Sequence, residues 1–158
     1  MIRNTGTASA KTSSVSRPER LRGGRGRQGT ITFCGVAAPG KRVLVIDDEP
    51  QVRATIAEAL SLEGYRVTEA GNGAEALALL RTVRPDVIVL DLWMPIMDGW
   101  EFRKAQVQAH PGIPIVVLSA LDLSHERLSE LRADALVSKP FDLDQLYESV
   151  AKAAAVRG

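Results

Sequence analysis

Cysteine occurs once in the 158 residues, at Cys34, so no disulfide can form within the chain and a reducing cytoplasm is the simpler compartment. Histidine occurs twice, at His110 and His125, without the spacing that would pair them on a metal, and surface roles are expected of both. No apolar run exceeds the length of a strand, which excludes a membrane-spanning helix from the expected structure. Acidic residues are almost missing from the first forty positions, where Glu19 stands alone against seven Lys and Arg. Large apolar residues are equally scarce there before Ile31. A stretch so rich in Arg, Gly, Ser and Thr cannot offset the entropy of ordering, so residues 1–40 are expected to form a disordered basic tail. The tail is read as a solvated extension or a start site assigned too far upstream; arginines that touch nucleic acid or an acidic partner are the less favoured reading. A secretory signal is disfavoured, because the apolar patch Ile31 to Ala38 is interrupted by Gly35 and lies far from the amino terminus.

The remainder, residues 41–158, carries thirteen basic and eighteen acidic residues and holds enough apolar material for one ordinary domain. It is also regular. Val43 to Ile46 is a short branched run that stops at Asp47-Asp48-Glu49, and Pro50 then opens a helix, a position where its missing N–H costs little. Val52, Ile56, Ala59 and Leu60 recur at helical spacing as far as Gly64. Tyr65 to Glu69 reads as a second strand. Asn72 and Glu75 have the spacing of a reciprocal helix cap, followed by Leu77, Leu80 and Val83 on one face. Val87 to Leu90 is the most apolar strand and ends at Asp91. Asp98 and Glu101 repeat the cap spacing for a helix to about Ala109. Ile113 to Leu118 is a fourth strand ending in Ser119, residues 124–131 a shorter helix, and Ala135 to Ser138 a fifth strand ending in Lys139-Pro140. Asp142 caps a last helix with Leu143, Leu146, Tyr147 and Val150 on one face.

Strands alternating with helices require right-handed crossovers, hence a parallel sheet with helices on both faces. The expected fold is α/β, a doubly wound, flavodoxin-like sheet of five strands in the order 2-1-3-4-5, which gathers the ends of the first, third and fourth strands around a switch point. The residues on that rim are Asp47, Asp48, Asp91, Ser119 and Lys139, all polar. Carboxylates crowded together there repel by about 4 kcal/mol per pair at roughly 4 Å and an effective dielectric near 20. A divalent cation relieves this, and Mg²⁺ suits a site of one or two carboxylates, water and phosphate oxygens. With Lys139 and a hydroxyl beside it, the rim fits a phosphoryl group. Asp91 is then a nucleophile able to form an acyl phosphate.

Together Asp47-Asp48, the run Asp91-Leu92-Trp93-Met94-Pro95-Ile96-Met97-Asp98-Gly99, Ser119-Ala120 and Lys139-Pro140-Phe141 resemble the receiver domain of bacterial response regulators, over Lys41 to about Val156. The resemblance implies that Asp91 takes phosphoryl from a histidine kinase or phosphotransfer protein in a two-component relay. It implies Asp48, Asp91 and the backbone carbonyl of Trp93 as direct Mg²⁺ ligands, with Asp47 acting through water. It makes Ser119 the group that follows the phosphoryl oxygen and Lys139 the group that contacts the phosphate, beside a cis Lys139-Pro140 bond. Such a domain is a phosphoacceptor that promotes its own phosphorylation and dephosphorylation rather than an enzyme acting on other molecules.

Three departures from the pattern are visible. The switch position three before Lys139, usually aromatic, holds Leu136; Arg132 stands where relatives commonly have Gly; and Trp93 and Leu121 place bulky apolar groups two residues after Asp91 and Ser119. The last pair is expected to flank the path of the hydrolytic water and give a long-lived acyl phosphate. Trp93 and Trp100 are expected in packing or at an interface. With the receiver ending near the end of the sequence, the expected protein is a stand-alone receiver without a DNA-binding domain or membrane anchor. It would signal through the face of the fourth helix, fifth strand and fifth helix to a downstream protein, with a dimer possible. The alternative is a non-cycling module that binds its partner constitutively. A hydrolase on the same fold is less favoured, since Leu92-Trp93 offers no second acid beside the nucleophile.

Overall fold

In the computed structural model, residues 40–156 are described; the expected tail, apart from its last residue Gly40, lies outside them. Strands and helices alternate throughout: β1 (Arg42–Ile46), α1 (Pro50–Leu62), β2 (Arg66–Ala70), α2 (Gly73–Leu79), β3 (Val87–Asp91), α3 (Gly99–Ala109), β4 (Ile115–Ser119), α4 (His125–Leu131), β5 (Ala135–Ser138) and α5 (Leu143–Ala155). All pairings are parallel, and the order is β2-β1-β3-β4-β5, as the sequence predicts. Among the described residues, no helix is long and apolar enough to cross a membrane.

Successive residues of a strand face opposite sides of the sheet, and here each side has its own core. Val43, Val45, Val87, Val89, Val116 and Leu118 pack with Ile56 and Leu60 of α1 and with Leu146 and Val150 of α5. Leu44, Ile46, Ile88, Leu90, Ile115 and Val117 pack on the other side with Ala76 of α2, Phe102 of α3 and Leu131 of α4. Each such side chain is worth about 1.5–3 kcal/mol when fully buried, so the central strands hold the sheet firmly and the polar residues at their ends inherit a rigid base. The register follows from this: Ile46 pairs with Leu90 and Asp91 with Leu118, which leaves Asp47, Asp91 and Ser119 at one end of three adjacent strands.

The expected caps form with small displacements. Asn72 accepts from the Glu75 N–H, but the Glu75 carboxylate accepts from Gly71 N rather than from the cap residue itself. Asp98 accepts from Glu101 N and Asp142 from Asp144 N. β4 starts at Ile115 rather than Ile113 because Pro114 has no N–H for the ladder, although its carbonyl accepts from Ile88 N. Leu143, placed by spacing on the apolar face of α5, is 37% exposed because it is the first residue of the helix; Leu146 and Val150 carry that face.

Arg132, which stands where relatives commonly have Gly, closes α4 in the left-handed region, φ 48° and ψ 46°. The conformation costs about 1–2 kcal/mol in a residue with a Cβ. Two features offset it. Leu131 is buried against α3, and the buried guanidinium of Arg103 donates to the carbonyls of Leu131 (2.7 Å) and Arg132 (2.8 Å). Arg103 also donates to Gln106, whose amide in turn donates to the His110 carbonyl.

Candidate functional site

The turn after β1 carries Asp47, which is fully buried, and Asp48, which is exposed. Asp47 is held on every side: its N–H donates to Ala70 O, its Oδ1 accepts from Glu49 N at 2.9 Å, and its Oδ2 accepts from Lys139 Nζ at 2.9 Å. Asp91, the last residue of β3, is 5% exposed. The α3 helix begins hard against it, and only glycine fits at position 99, since a Cβ there would lie 2.7 Å from Asp91 O and 2.8 Å from Leu92 Cα. Gly73 plays the same part for the loop in between, because a Cβ there would come within 2.7 Å of Met97 Cγ.

One carboxylate oxygen each from Asp47, Asp48 and Asp91 lies within 4.8 Å of the others. Lys139 reaches into this group, 2.9 Å from Asp47 Oδ2 and 3.5 Å from Asp91 Oδ1. Its backbone N–H donates to Ser119 O, which ties the end of β5 to the end of β4. The Lys139–Pro140 peptide is cis, as the resemblance implies. Burial raises the Asp91 pKa above the usual carboxylate range; Lys139 opposes the rise, Asp47 adds to it, the Trp93 N–H opposes it and Asp48 adds to it. Burial works against the charge of Lys139, yet the hydrogen bond to Asp47 and the charge of Asp91 outweigh it and lift its pKa. Three carboxylates facing one ammonium leave two negative charges uncompensated when all are ionised. That residual charge, on hard oxygen donors, fits a divalent cation such as Mg²⁺.

Not every expected residue enters this pocket. Ser119 is buried on the rim, but its hydroxyl donates to Leu121 O (2.8 Å) and accepts from Leu121 N (3.1 Å), a local turn. Trp93, two residues after Asp91, is 52% exposed, and Leu121 is 58% exposed. Leu136 is half-buried on β5 and packs against the core layer that holds Phe102 and Leu131. Trp100 packs against the same layer, with the Arg127 guanidinium 5.6 Å from its ring centre. His125 is exposed, and His110 is bonded through Nδ1 to Arg84 at 3.0 Å, both remote in contact from the acidic group. Sequence reasoning passed over two residues. Ile96, 82% exposed in the loop after Asp91, adopts φ 72°, unusual for a β-branched side chain. Arg53, one turn into α1, donates from NH1 to the main-chain carbonyl of Asp47 at 2.6 Å. Its only sequence signal was a cation beside an acidic pair.

A family model described as the response regulator receiver domain matches residues 43–151. Among curated proteins, the chain is 40% identical over 106 residues to the probable transcriptional regulatory protein TcrX of Mycobacterium tuberculosis, covering 66% of this chain and 45% of TcrX. It thus spans less than half the length of the curated relatives it matches, and the expected stand-alone status finds no support in them. Among solved structures, it is similar to the receiver domain of Francisella response regulator 1452 (TM-score 0.70, 32% identity, 75% of this chain and 100% of that one). It is also similar to the response regulator TrrA of Thermotoga maritima, solved in complex with Mg²⁺ and BeF (TM-score 0.66, 37% identity, 72% and 98% of the two chains).

Proposed function

Since the chain belongs to the family of response regulator receiver domains, we propose that Asp91 accepts a phosphoryl group from a histidine kinase or phosphotransfer protein and that the chain signals by phosphorylation-dependent protein binding. Receiver domains are phosphoacceptor signalling modules, not conventional enzymes, and histidine kinases are their partners. The observation that carries the reading is the buried carboxylate of Asp91, set among Asp47, Asp48 and Lys139 at the carboxyl end of the central strand.

In the transfer, one Oδ of Asp91 bonds to phosphorus as the P–N bond of the donor breaks, and the departing imidazole keeps the electron pair and takes up a proton. Burial keeps Asp91 poorly solvated and the charges of Asp47 and Asp48 add to its basicity, so its lone pairs are available to the incoming group. Lys139 sits on the flank of Asp91 and neutralises charge that collects on the phosphoryl oxygens. Asp48, Asp91 and the Trp93 carbonyl, with Asp47 acting through water, would hold Mg²⁺, which would neutralise charge on the same oxygens. Ser119 must give up its hydrogen bond to Leu121 O to reach a phosphoryl oxygen, which releases the loop leading into α4. The signal then passes to the face made by α4, β5 and α5, where Leu136 of β5 packs against the core layer that holds Leu131 of α4, and a downstream protein reads it. The paired, intact acidic pocket supports phosphate cycling over a constitutive binding module.

Incubation with acetyl phosphate and Mg²⁺, followed by intact mass measurement, tests the reading. A gain of one phosphoryl group in the native chain and none in Asp91→Asn supports it; an unchanged native mass rejects it.

A further inference from the structure

Asp48 is the one acidic residue of the pocket whose carboxylate is exposed and makes no hydrogen bond or ion pair among the described residues. Its direction is therefore set by the backbone that carries it. The Asp47–Asp48 peptide unit is planar, so a hold on its carbonyl oxygen fixes the orientation of the bond that leads to the Asp48 Cα. That oxygen is the one held by Arg53, through NH1 at 2.6 Å. The same guanidinium lies against Glu69 of β2, with Nε 3.3 Å from Oε2. The arginine thus bridges the edge strand and the peptide in front of the pocket.

We infer that Arg53 is a positioning residue that aims Asp48 toward the cation by anchoring the Asp47–Asp48 peptide. The inference rests on the reading of the acidic cluster as a Mg²⁺ and phosphoryl site. A purely stabilising role accounts poorly for the arrangement, because the pair with Glu69 is partly solvated, with side chains 20% and 46% exposed, and such pairs contribute little. The bond to the carbonyl is short and charge-assisted, and among the described residues the guanidinium pairs with Glu69 rather than with the three carboxylates of the cluster. Glu69 also balances the guanidinium charge, so that Arg53 steadies the pocket without acting as a rival cation inside it. Among the described residues no other group holds the Asp48 carboxylate: Glu49 N donates to Asp47 Oδ1, and Lys139 pairs with Asp47 and Asp91.

The test measures Mg²⁺ affinity of the full chain by calorimetry, without any phosphodonor, together with the Asp48 and Glu49 amide resonances in metal-free buffer. Arg53→Ala should weaken Mg²⁺ binding roughly tenfold, on the scale of one charge-assisted hydrogen bond, and shift both amides before metal is added. Arg53→Lys, which keeps a cationic donor, should recover much of the affinity. If Arg53→Ala does not fold, Arg53→Gln carries the same expectation. Affinity within twofold of native in the folded alanine or glutamine variant overturns the inference and leaves the Asp91 reading standing. A native chain that binds no Mg²⁺ overturns both.

Discussion

Lys139 sits closer to Asp47 than to Asp91, with its ammonium 2.9 Å from Asp47 Oδ2 and 3.5 Å from Asp91 Oδ1. The fully buried Asp47 thus has a committed partner, while Asp91 keeps an oxygen for chemistry. Lys139→Ala removes the ammonium that pairs with both Asp47 and Asp91. Thermal unfolding should show a loss of about 3 kcal/mol in metal-free buffer, the cost of stranding a buried charge. Calorimetry should show Mg²⁺ binding roughly tenfold tighter, because the competing cation is gone and a pair at this range is worth a few kcal/mol at most. Unchanged Mg²⁺ affinity would contradict the electrostatic account.

The raised pKa of Asp91 makes a prediction about stability and pH. A carboxylate whose folded pKa lies above its unfolded value contributes stability that is fully present below the unfolded pKa, about 3.9, and is lost as pH rises through the folded one. Ionised Asp91 is then a burden on the metal-free fold at neutral pH. Asp91→Asn should melt higher than the native chain at pH 7 without Mg²⁺, and the gap should close as pH falls below the ordinary carboxylate range. Added Mg²⁺ should raise the native melting point more than that of the variant. Melting curves across pH, with and without the metal, check both statements.

Arg132 and Ile96 both occupy left-handed backbone, at φ 48° and 72°. Glycine relieves that strain where the side chain contributes little. Arg132→Gly and Ile96→Gly should each stabilise the fold by about 1 kcal/mol in denaturant unfolding. Arg103→Ala should cost about 3 kcal/mol, since two carbonyls at the end of α4 lose a charged donor in a buried setting. A neutral Arg103→Ala would show that α4 is secured by Leu131 alone.

Trp93 and Leu121, 52% and 58% exposed, follow Asp91 and Ser119 by two residues, and we propose that they flank the path of water to an acyl phosphate on Asp91. Trp93→Ala and Leu121→Ala should each speed loss of phosphate roughly three- to tenfold, about 0.7–1.4 kcal/mol in barrier. Decay of radiolabelled protein in Mg²⁺ without a phosphatase measures it. Native decay within seconds would count against shielding by these side chains.

Much of this arrangement is legible in the sequence, because it is written as interruptions of pattern. Apolar runs that stop abruptly at Asp47, Asp91, Ser119 and Lys139 announce strand ends, and the crossover rule brings those ends to one rim. Caps at Asn72, Asp98 and Asp142 are local and equally readable. What could not be read depends on contacts distant in sequence or on single dihedral angles. The grip of Arg53 on the Asp47 carbonyl is a side chain to backbone contact with no periodic signature. Arg103 lies in a stretch whose charges suggest a solvated face, yet it is 7% exposed because the carbonyls of α4 meet it there. The turning of Ser119 toward Leu121 is a choice between partners, and residue type alone does not reveal the choice.

The account stands on a covalent bond between phosphorus and one carboxylate, and borohydride trapping reads that bond at residue resolution. After exposure to acetyl phosphate and Mg²⁺, reduction should convert Asp91 to homoserine in the peptide that carries it, with no conversion when Mg²⁺ is chelated. Homoserine at Asp47 or Asp48, or none anywhere in the chain, would contradict the central claim.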